Sequence, residues 1–237
     1  MKAFLGNVFG GLLKLVFDLV SKIGVEPEYF SFYAMAIIIT TILFKLILLP
    51  ISLHQSKSTK KMNELQPKIK EIQNKYKNDP QTQQAKMMEI YKENNYNPMS
   101  GCLILLIQLP IILAFFAVMR EPATYVFKSQ AAYNAISKNF FWITNLEKVD
   151  PYLWGLPLLT GVTTYLQTIL MSANMPGDSQ NKSSQKSMNI IMPLMMFWFA
   201  KSCPAGLSLY LFIGNVFQIV QELLVNRSLG TIKEDLK

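Results

Sequence analysis

Lys45 is the residue whose type and position could do chemistry, because it is a charged side chain inside an apolar run. The sequence has no other charged residue between Glu28 and Lys57. A lysine near the centre of a membrane helix costs about 2.5–3.5 kcal/mol on insertion scales. Lys45 either faces a water-filled cavity or extends its stem to a membrane surface about 10 Å away. Its position alone leaves both interpretations open.

Neighbouring polar residues favour the cavity. On the same predicted helix, Thr41, Ser52 and Ser56 project within about 40° of Lys45 at about 100° per residue. Three other apolar segments carry polar side chains that could complete a polar lining: Gln108; Thr160, Thr163, Thr164 and Gln167; Ser208, Tyr210, Asn215 and Gln218. Each alone is more typical of hydrogen bonding between helices. Together with Lys45 they predict a wet polar interior without an acidic partner.

Enzyme chemistry is disfavoured by the same residues. We assign no Asp or Glu to a span, which argues against a carboxylate proton relay or an intramembrane aspartyl protease. His54 is the only histidine, and the sequence contains no HExxH, GxxxxGK or GxSxG motif. Cys102 and Cys203 are expected near opposite faces of the membrane and should not pair. We therefore expect no enzyme activity, no cofactor and no metal site.

Long uncharged segments must position these residues. Of the 237 residues 51% are hydrophobic and 16% are charged, against about 25% charged in soluble domains. Crossing a bilayer core takes a helix of about 20 apolar residues. The runs predict an all-α, polytopic membrane protein with five transmembrane helices, at 29–52, 98–119, 152–173, 188–201 and 205–225.

The remaining segments are amphipathic or polar. Residues 1–28 predict an outer-side helix in the membrane interface, with a cleaved signal peptide as the alternative. Residues 53–97 carry nine lysines and five acidic residues, which predicts a charged helical hairpin that Pro67 breaks or bends. The other segments are an outer loop with an aromatic interface anchor, a polar cytoplasmic loop and a cytoplasmic tail, at 120–151, 174–187 and 226–237.

The distribution of Lys and Arg predicts the orientation. The side with the hairpin, the 174–187 loop and the tail holds fourteen of them, and the opposite side holds eight. The hairpin side is therefore expected in the cytoplasm, with the N-terminus out and the C-terminus in. Membrane topology also explains most of the net charge of +8. That charge would indicate nucleic acid in a soluble protein, and we expect no DNA partner.

The order of motifs resembles the YidC/Oxa-type membrane protein insertase family. The motifs are the LFKLILLP segment at 43–50, LQPKI at 65–69, NPMSGC at 97–102 running into LIQLPI at 106–111, Met192-Pro193, and AGLSLY at 205–210 followed by Gly214-Asn215. The resemblance covers about residues 12–225 and is to the short Gram-positive type. It implies five helices around a hydrophilic groove that is open to the cytoplasm and closed on the outer side. Lys45 stands where bacterial members usually have arginine, and Thr41, Gln167 and Tyr210 match other polar or substrate-contacting positions.

The resemblance implies an insertase and chaperone of the bacterial cell membrane. Its groove would move short polar segments of nascent membrane proteins outward, past a lining of Lys45, Thr41, Gln167, Tyr210, Gln108 and Asn215. The partners implied are nascent membrane proteins, the lipid bilayer, the ribosome, targeting factors and the secretion channel. A small-solute transporter or channel is the alternative, and it predicts an internal repeat and polar residues continuing to the outer face. A factor that only chaperones helices is a third interpretation.

Overall fold

The computed structural model describes residues 2–97, 100–173 and 182–234, with side chains for 4–62, 64–97, 109–171 and 189–225. This part of the chain is mostly helical and contains no β-strand; isolated bridges join Phe30 to Phe140 and Phe140 to Ile143. The helical class predicted from the sequence is confirmed for these residues. The α-helices are α1 (Lys2–Val20), α2 (Phe32–Lys75), α3 (Pro80–Glu93), α4 (Ser100–Arg120), α5 (Gln130–Asn134), α6 (Leu156–Ala173), α7 (Lys182–Ser202) and α8 (Ala205–Glu234).

Helix α2 is continuous over 44 residues and joins the first apolar segment to the hairpin. The Ser31 hydroxyl begins it by accepting a hydrogen bond from the Ala34 N–H at 3.2 Å. Pro50 and Pro67 both lie inside the helix. Of the break or bend predicted at Pro67, the break is therefore wrong. A proline removes one backbone hydrogen bond, and the burial of Leu65 and Ile69 on either side holds the helix together.

The second arm of the hairpin is α3, which packs back against α2. The Asp79 carboxylate caps it by accepting a hydrogen bond from the Thr82 N–H at 3.2 Å, and Pro80 occupies the first turn. Hydrogen bonding to Thr82 also lowers the pKa of Asp79. The Gln83 side chain donates to the carbonyl oxygen of Gln73 at 3.1 Å, which ties the two arms together.

Helix α1 packs one apolar face on the rest of the protein. Phe9 and Leu13 are buried, and the Phe9 ring stacks on Phe44 of α2 with centroids 3.7 Å apart. Gly10 lies so close to Tyr125 that a Cβ there would be 2.3 Å from the Tyr125 carbonyl oxygen. Tyr125 belongs to a π-helical turn, Ala123–Phe127. The other face of α1 exposes large apolar side chains: Phe4, Val8, Leu15 and Leu19.

Two helical segments among the described residues are long and apolar enough to cross a membrane. They are Phe32–Met62 in α2 and Ala205–Val225 in α8. Shorter apolar segments lie in α4 and α6, at Leu109–Arg120 and Leu156–Met171. Helix α6 packs between α7 and α8, and α8 also packs on α2. Helices α2, α6 and α8 therefore bring their polar residues together.

Candidate functional site

Lys45 is buried where α2 packs on α8, with 9% of its surface exposed. A Cβ at Gly214 of α8 would lie 3.2 Å from Cε of Lys45 and 3.7 Å from Nζ. The absence of a side chain at Gly214 makes room for the end of the lysine. Among the described residues, no carboxylate oxygen lies within 4 Å of Nζ. A charge here is favourable only where water or a polar ligand reaches it.

Two threonines precede Lys45 on α2 and are fully buried. The Thr41 hydroxyl donates a hydrogen bond to the carbonyl oxygen of Ile37 at 2.7 Å. The Thr40 hydroxyl has no hydrogen-bond partner among the described residues. Thr41 was predicted as a site residue, whereas the unsatisfied hydroxyl of Thr40 could not be inferred, because it depends on the atoms that surround it.

Hydrogen bonds between side chains join α6 to α8. The Asn215 amide donates to the Thr164 hydroxyl at 2.8 Å and to the Thr163 hydroxyl at 3.3 Å. Further along both helices, the Gln167 amide donates to the Gln218 side-chain oxygen at 2.6 Å. Asn215 and Gln167 thus lie together on the predicted polar face, and Asn215 follows directly on the glycine that contacts Lys45.

A second set of hydrogen bonds joins α2 to α8 on the side nearer the hairpin. The Gln221 amide donates to the Ser52 hydroxyl at 2.6 Å. The Ser56 hydroxyl donates to the Glu222 carboxylate at 2.9 Å. Because Ser52 and Ser56 belong to the polar stripe predicted for α2, the stripe faces α8.

An open pocket lies between α2, α6 and α8, with about 490 Å³ of empty space when the adjoining solvent is included. The residues that line it are Ser52, Gln55, Ser56, Thr59, Gln167, Leu170, Met171, Gln218, Ile219, Gln221 and Glu222. Of the five predicted site residues whose side chains the structure describes, Gln167 alone lines this pocket. Lys45 lies seven residues before Ser52, about 10 Å along α2, so the pocket and the buried lysine follow one another along the same helix.

Glu222 corrects the sequence analysis, which assigned no acidic residue to a span. It lies within the apolar segment Ala205–Val225 and lines the pocket. The signal that could have identified it is its spacing. Glu222 follows Asn215 by seven residues and Gln218 by four, which places all three on one face of α8.

The two other predicted site residues are Tyr210 and Gln108. The Tyr210 ring is 3% exposed and stacks on Phe115 of α4, with ring centroids 4.0 Å apart. It is therefore part of the apolar core and does not line the pocket. The side chain of Gln108 lies outside the described residues, as does that of Cys102.

Comparison with known proteins identifies relatives over most of the chain. Residues 26–233 match the family model described as "60Kd inner membrane protein". The "Membrane protein insertase YidC" of Clostridium perfringens is 41% identical over 192 residues, which are 80% of this chain and 76% of the relative. The protein of the same name from Clostridium tetani is 36% identical over 223 residues, 94% of each chain. That from Caldanaerobacter subterraneus subsp. tengcongensis is 36% identical over 206 residues, 87% of this chain and 91% of the relative. The chain therefore belongs to the 60Kd inner membrane protein family, the YidC/Oxa family that its motifs resemble.

Proposed function

We propose that this protein is a membrane protein insertase and chaperone, which inserts nascent integral membrane proteins and helps them fold. One observation carries the proposal: Lys45 is a buried cation in an apolar helix, and no carboxylate among the described residues pairs with it. Such a charge attracts an acidic or polar segment of another chain more strongly than an exposed lysine does, because the local dielectric constant is low. The name of the relatives agrees with this activity.

In the proposed architecture α2, α4, α6, α7 and α8 are the five transmembrane helices. Helices α4 and α7 have 21 residues and α6 has 18. At about 1.5 Å per residue these lengths are about 32 and 27 Å, close to the thickness of a hydrocarbon core. The polar pocket and Lys45 form a groove open to the cytoplasm. The protein resides in a bacterial cell membrane with its N-terminus outside and its C-terminus inside.

Insertion then follows from the shape and polarity of the groove. A short polar segment of the substrate enters through the pocket, meets Lys45, and has less hydrocarbon left to cross. The apolar helix of the substrate moves along the exposed apolar faces of α6 and α8 into lipid. Examples on these faces are Val162, Leu166, Val220 and Leu224. Burial of apolar area, at roughly 25 cal/mol per Å², drives the step without a nucleotide or a chemical reaction in the protein.

The partners of the insertase are argued from its charged hairpin. The segment 53–97 has a net charge of +4 and extends away from the apolar core. We assign it the role of receiving the nascent chain and contacting the ribosome, targeting factors or the secretion channel. Its lysines also suit anionic lipid at the cytoplasmic surface.

Packing on the outer side of Lys45 favours an insertase over a transporter or channel. A conducting path would need polar residues to continue towards the outer face. The side chains buried there are largely apolar, and Ala34, Ile37 and Leu207 are completely enclosed. A groove that ends at Lys45 suits a short polar segment of a membrane protein better than a small solute in transit.

Substitution of Lys45 tests the proposed function. In vesicles reconstituted with purified protein, Lys45→Ala should lower the insertion rate of a single-span substrate with an acidic N-terminal tail by about tenfold. Lys45→Glu should abolish this insertion, and Lys45→Arg should retain it because arginine keeps the charge. Protection of the tail from external protease measures insertion.

Two controls separate a charge effect from misfolding. Lys148→Ala removes an exposed lysine of the 120–151 loop and should leave insertion unchanged. A substrate with an uncharged tail should insert into Lys45→Ala vesicles at close to the wild-type rate. Insertion of the acidic tail by Lys45→Ala at the wild-type rate would contradict the proposal.

A further inference from the structure

Glu222 carries the only formal charge among the eleven residues that line the pocket. Its carboxylate accepts a hydrogen bond from the Ser56 hydroxyl at 2.9 Å. Within the described part of the chain, no lysine or arginine nitrogen lies within 4 Å of it. Lys60, one turn beyond Ser56, directs its ammonium group to the carbonyl oxygen of Val225 at 3.2 Å. The mechanism proposed above makes no use of this carboxylate.

Lys45 and Glu222 lie in sequence along the interface between α2 and α8. Gly214 contacts the end of Lys45, and Glu222 follows Gly214 by eight residues, or about 12 Å along α8. On α2, Ser56 lies eleven residues beyond Lys45 in the direction of the hairpin. The interface therefore presents a positive charge first and a negative charge nearer the hairpin.

A nascent membrane segment has the complementary arrangement of charges. Membrane proteins carry an excess of Lys and Arg next to the cytoplasmic end of a transmembrane helix. A carboxylate in a partly enclosed pocket attracts an ammonium or guanidinium group more strongly than one in bulk water does. The neutral amides that line the same pocket, at Gln55, Gln218 and Gln221, can hydrogen-bond any backbone and add no preference for charge.

We propose that Glu222 binds the basic residues that flank the apolar segment of a substrate on its cytoplasmic side. Lys45 attracts the polar end of the substrate that crosses the membrane, and Glu222 binds the basic end that remains on the cytoplasmic side. The two charges together select the orientation of the inserted helix. This inference rests on the proposed function. Glu222 is a specificity-determining residue in this scheme, and its contact with Ser56 holds the carboxylate at the pocket wall.

The test uses three single-span substrates that differ only in the two residues after the apolar segment, which are Lys, Gln or Glu. Wild-type protein in vesicles should insert the Lys-flanked substrate about fivefold faster than the Glu-flanked one. Glu222→Gln, which keeps a hydrogen-bond acceptor for Ser56, should reduce this ratio to about one. Glu222→Lys should reverse the preference. Glu121→Gln, which removes an exposed carboxylate just after α4 and outside the pocket, should keep the wild-type ratio.

The outcomes distinguish a failure of the inference about Glu222 from a failure of the proposed insertase function. If wild-type protein inserts none of the three substrates, the proposed function fails. If it inserts them and Glu222→Gln keeps the wild-type ratio, the inference about Glu222 is overturned while the insertase remains. A uniform loss of rate with all three substrates would show that Glu222 only joins α2 to α8, and it would overturn the inference as well.

Discussion

At the scale of single residues, buried hydroxyl groups and a half-buried amide join α6 to α8. Asn215 reaches across to two threonine hydroxyls of α6, and Thr164 also donates to the carbonyl oxygen of Thr160 at 2.7 Å. In an apolar environment water does not hydrogen-bond these groups. Each group left without a hydrogen-bond partner therefore lowers the stability of the folded protein. A hydrogen bond between membrane helices contributes about 0.6–2 kcal/mol.

Thr164→Val should therefore lower the stability of the protein in detergent by about 1 kcal/mol, because the Asn215 amide loses its shorter bond. Thr40→Val is the matched control, since it removes a buried hydroxyl that has no partner among the described residues. That substitution should be neutral or slightly stabilising. Thermal unfolding followed by circular dichroism measures both, and equal melting temperatures for the two variants would contradict the assignment.

At the scale of elements, a buried aspartate joins the 120–151 loop to the start of α6. Asp150 is 7% exposed and accepts hydrogen bonds from the N–H groups of Tyr152 at 2.9 Å and Leu156 at 2.7 Å. It also accepts one from the indole nitrogen of Trp142 at 3.2 Å. A carboxylate at a helix N-terminus is favourable because free N–H groups point towards it. Gly155 leaves space for this contact, since a Cβ there would lie 2.3 Å from the Asp150 oxygen.

We expect Asp150→Ala to lower the free energy of unfolding by about 1–2 kcal/mol, as loss of a helix cap does. The Trp142 indole also loses its acceptor, so tryptophan emission should change along with stability. Glu121→Gln removes an exposed carboxylate near the end of α4 and serves as the control. If Asp150→Ala unfolds at the same temperature as Glu121→Gln and keeps its tryptophan emission spectrum, the Asp150 cap contributes nothing to the stability of the protein.

At the scale of the whole molecule, the two ends of the helix bundle have different chemistry. The end near the 120–151 loop is packed with rings and aliphatic side chains, including the stacked pair Phe115–Tyr210. The end near the hairpin contains the polar pocket. A difference of this kind suits a protein that admits polar chain from one side of a membrane only.

Cysteine accessibility tests the orientation that the Lys and Arg counts predict. With Cys102 and Cys203 replaced by serine, Val149→Cys in the outer loop should react with a membrane-impermeant thiol reagent in intact cells. Lys77→Cys, in the turn between α2 and α3, should react only in inverted vesicles. Both positions are exposed, so burial does not explain a failure to react. The reverse pattern would refute an N-terminus outside and a C-terminus inside.

The sequence by itself determined the helical class and the family, and it predicted Lys45 as a site residue. The length of an apolar run, the helical period and the order of motifs can all be read from the sequence alone. A charged residue within an apolar run can also be identified without knowledge of the tertiary structure. The polar stripe of Thr41, Lys45, Ser52 and Ser56 was also predictable, because residues three, four and seven apart share a helix face.

Only the tertiary structure decided what each polar residue contacts. Helical period identifies a face but does not say which helix packs opposite it, so the stacking of the predicted site residue Tyr210 on Phe115 of α4 could not be inferred. Glu222 was overlooked and lines the pocket, and α2 continues through Pro67 because packing around the proline compensates for one lost hydrogen bond. Contacts between distant parts of the chain depend on how the helices pack, which local sequence patterns do not record.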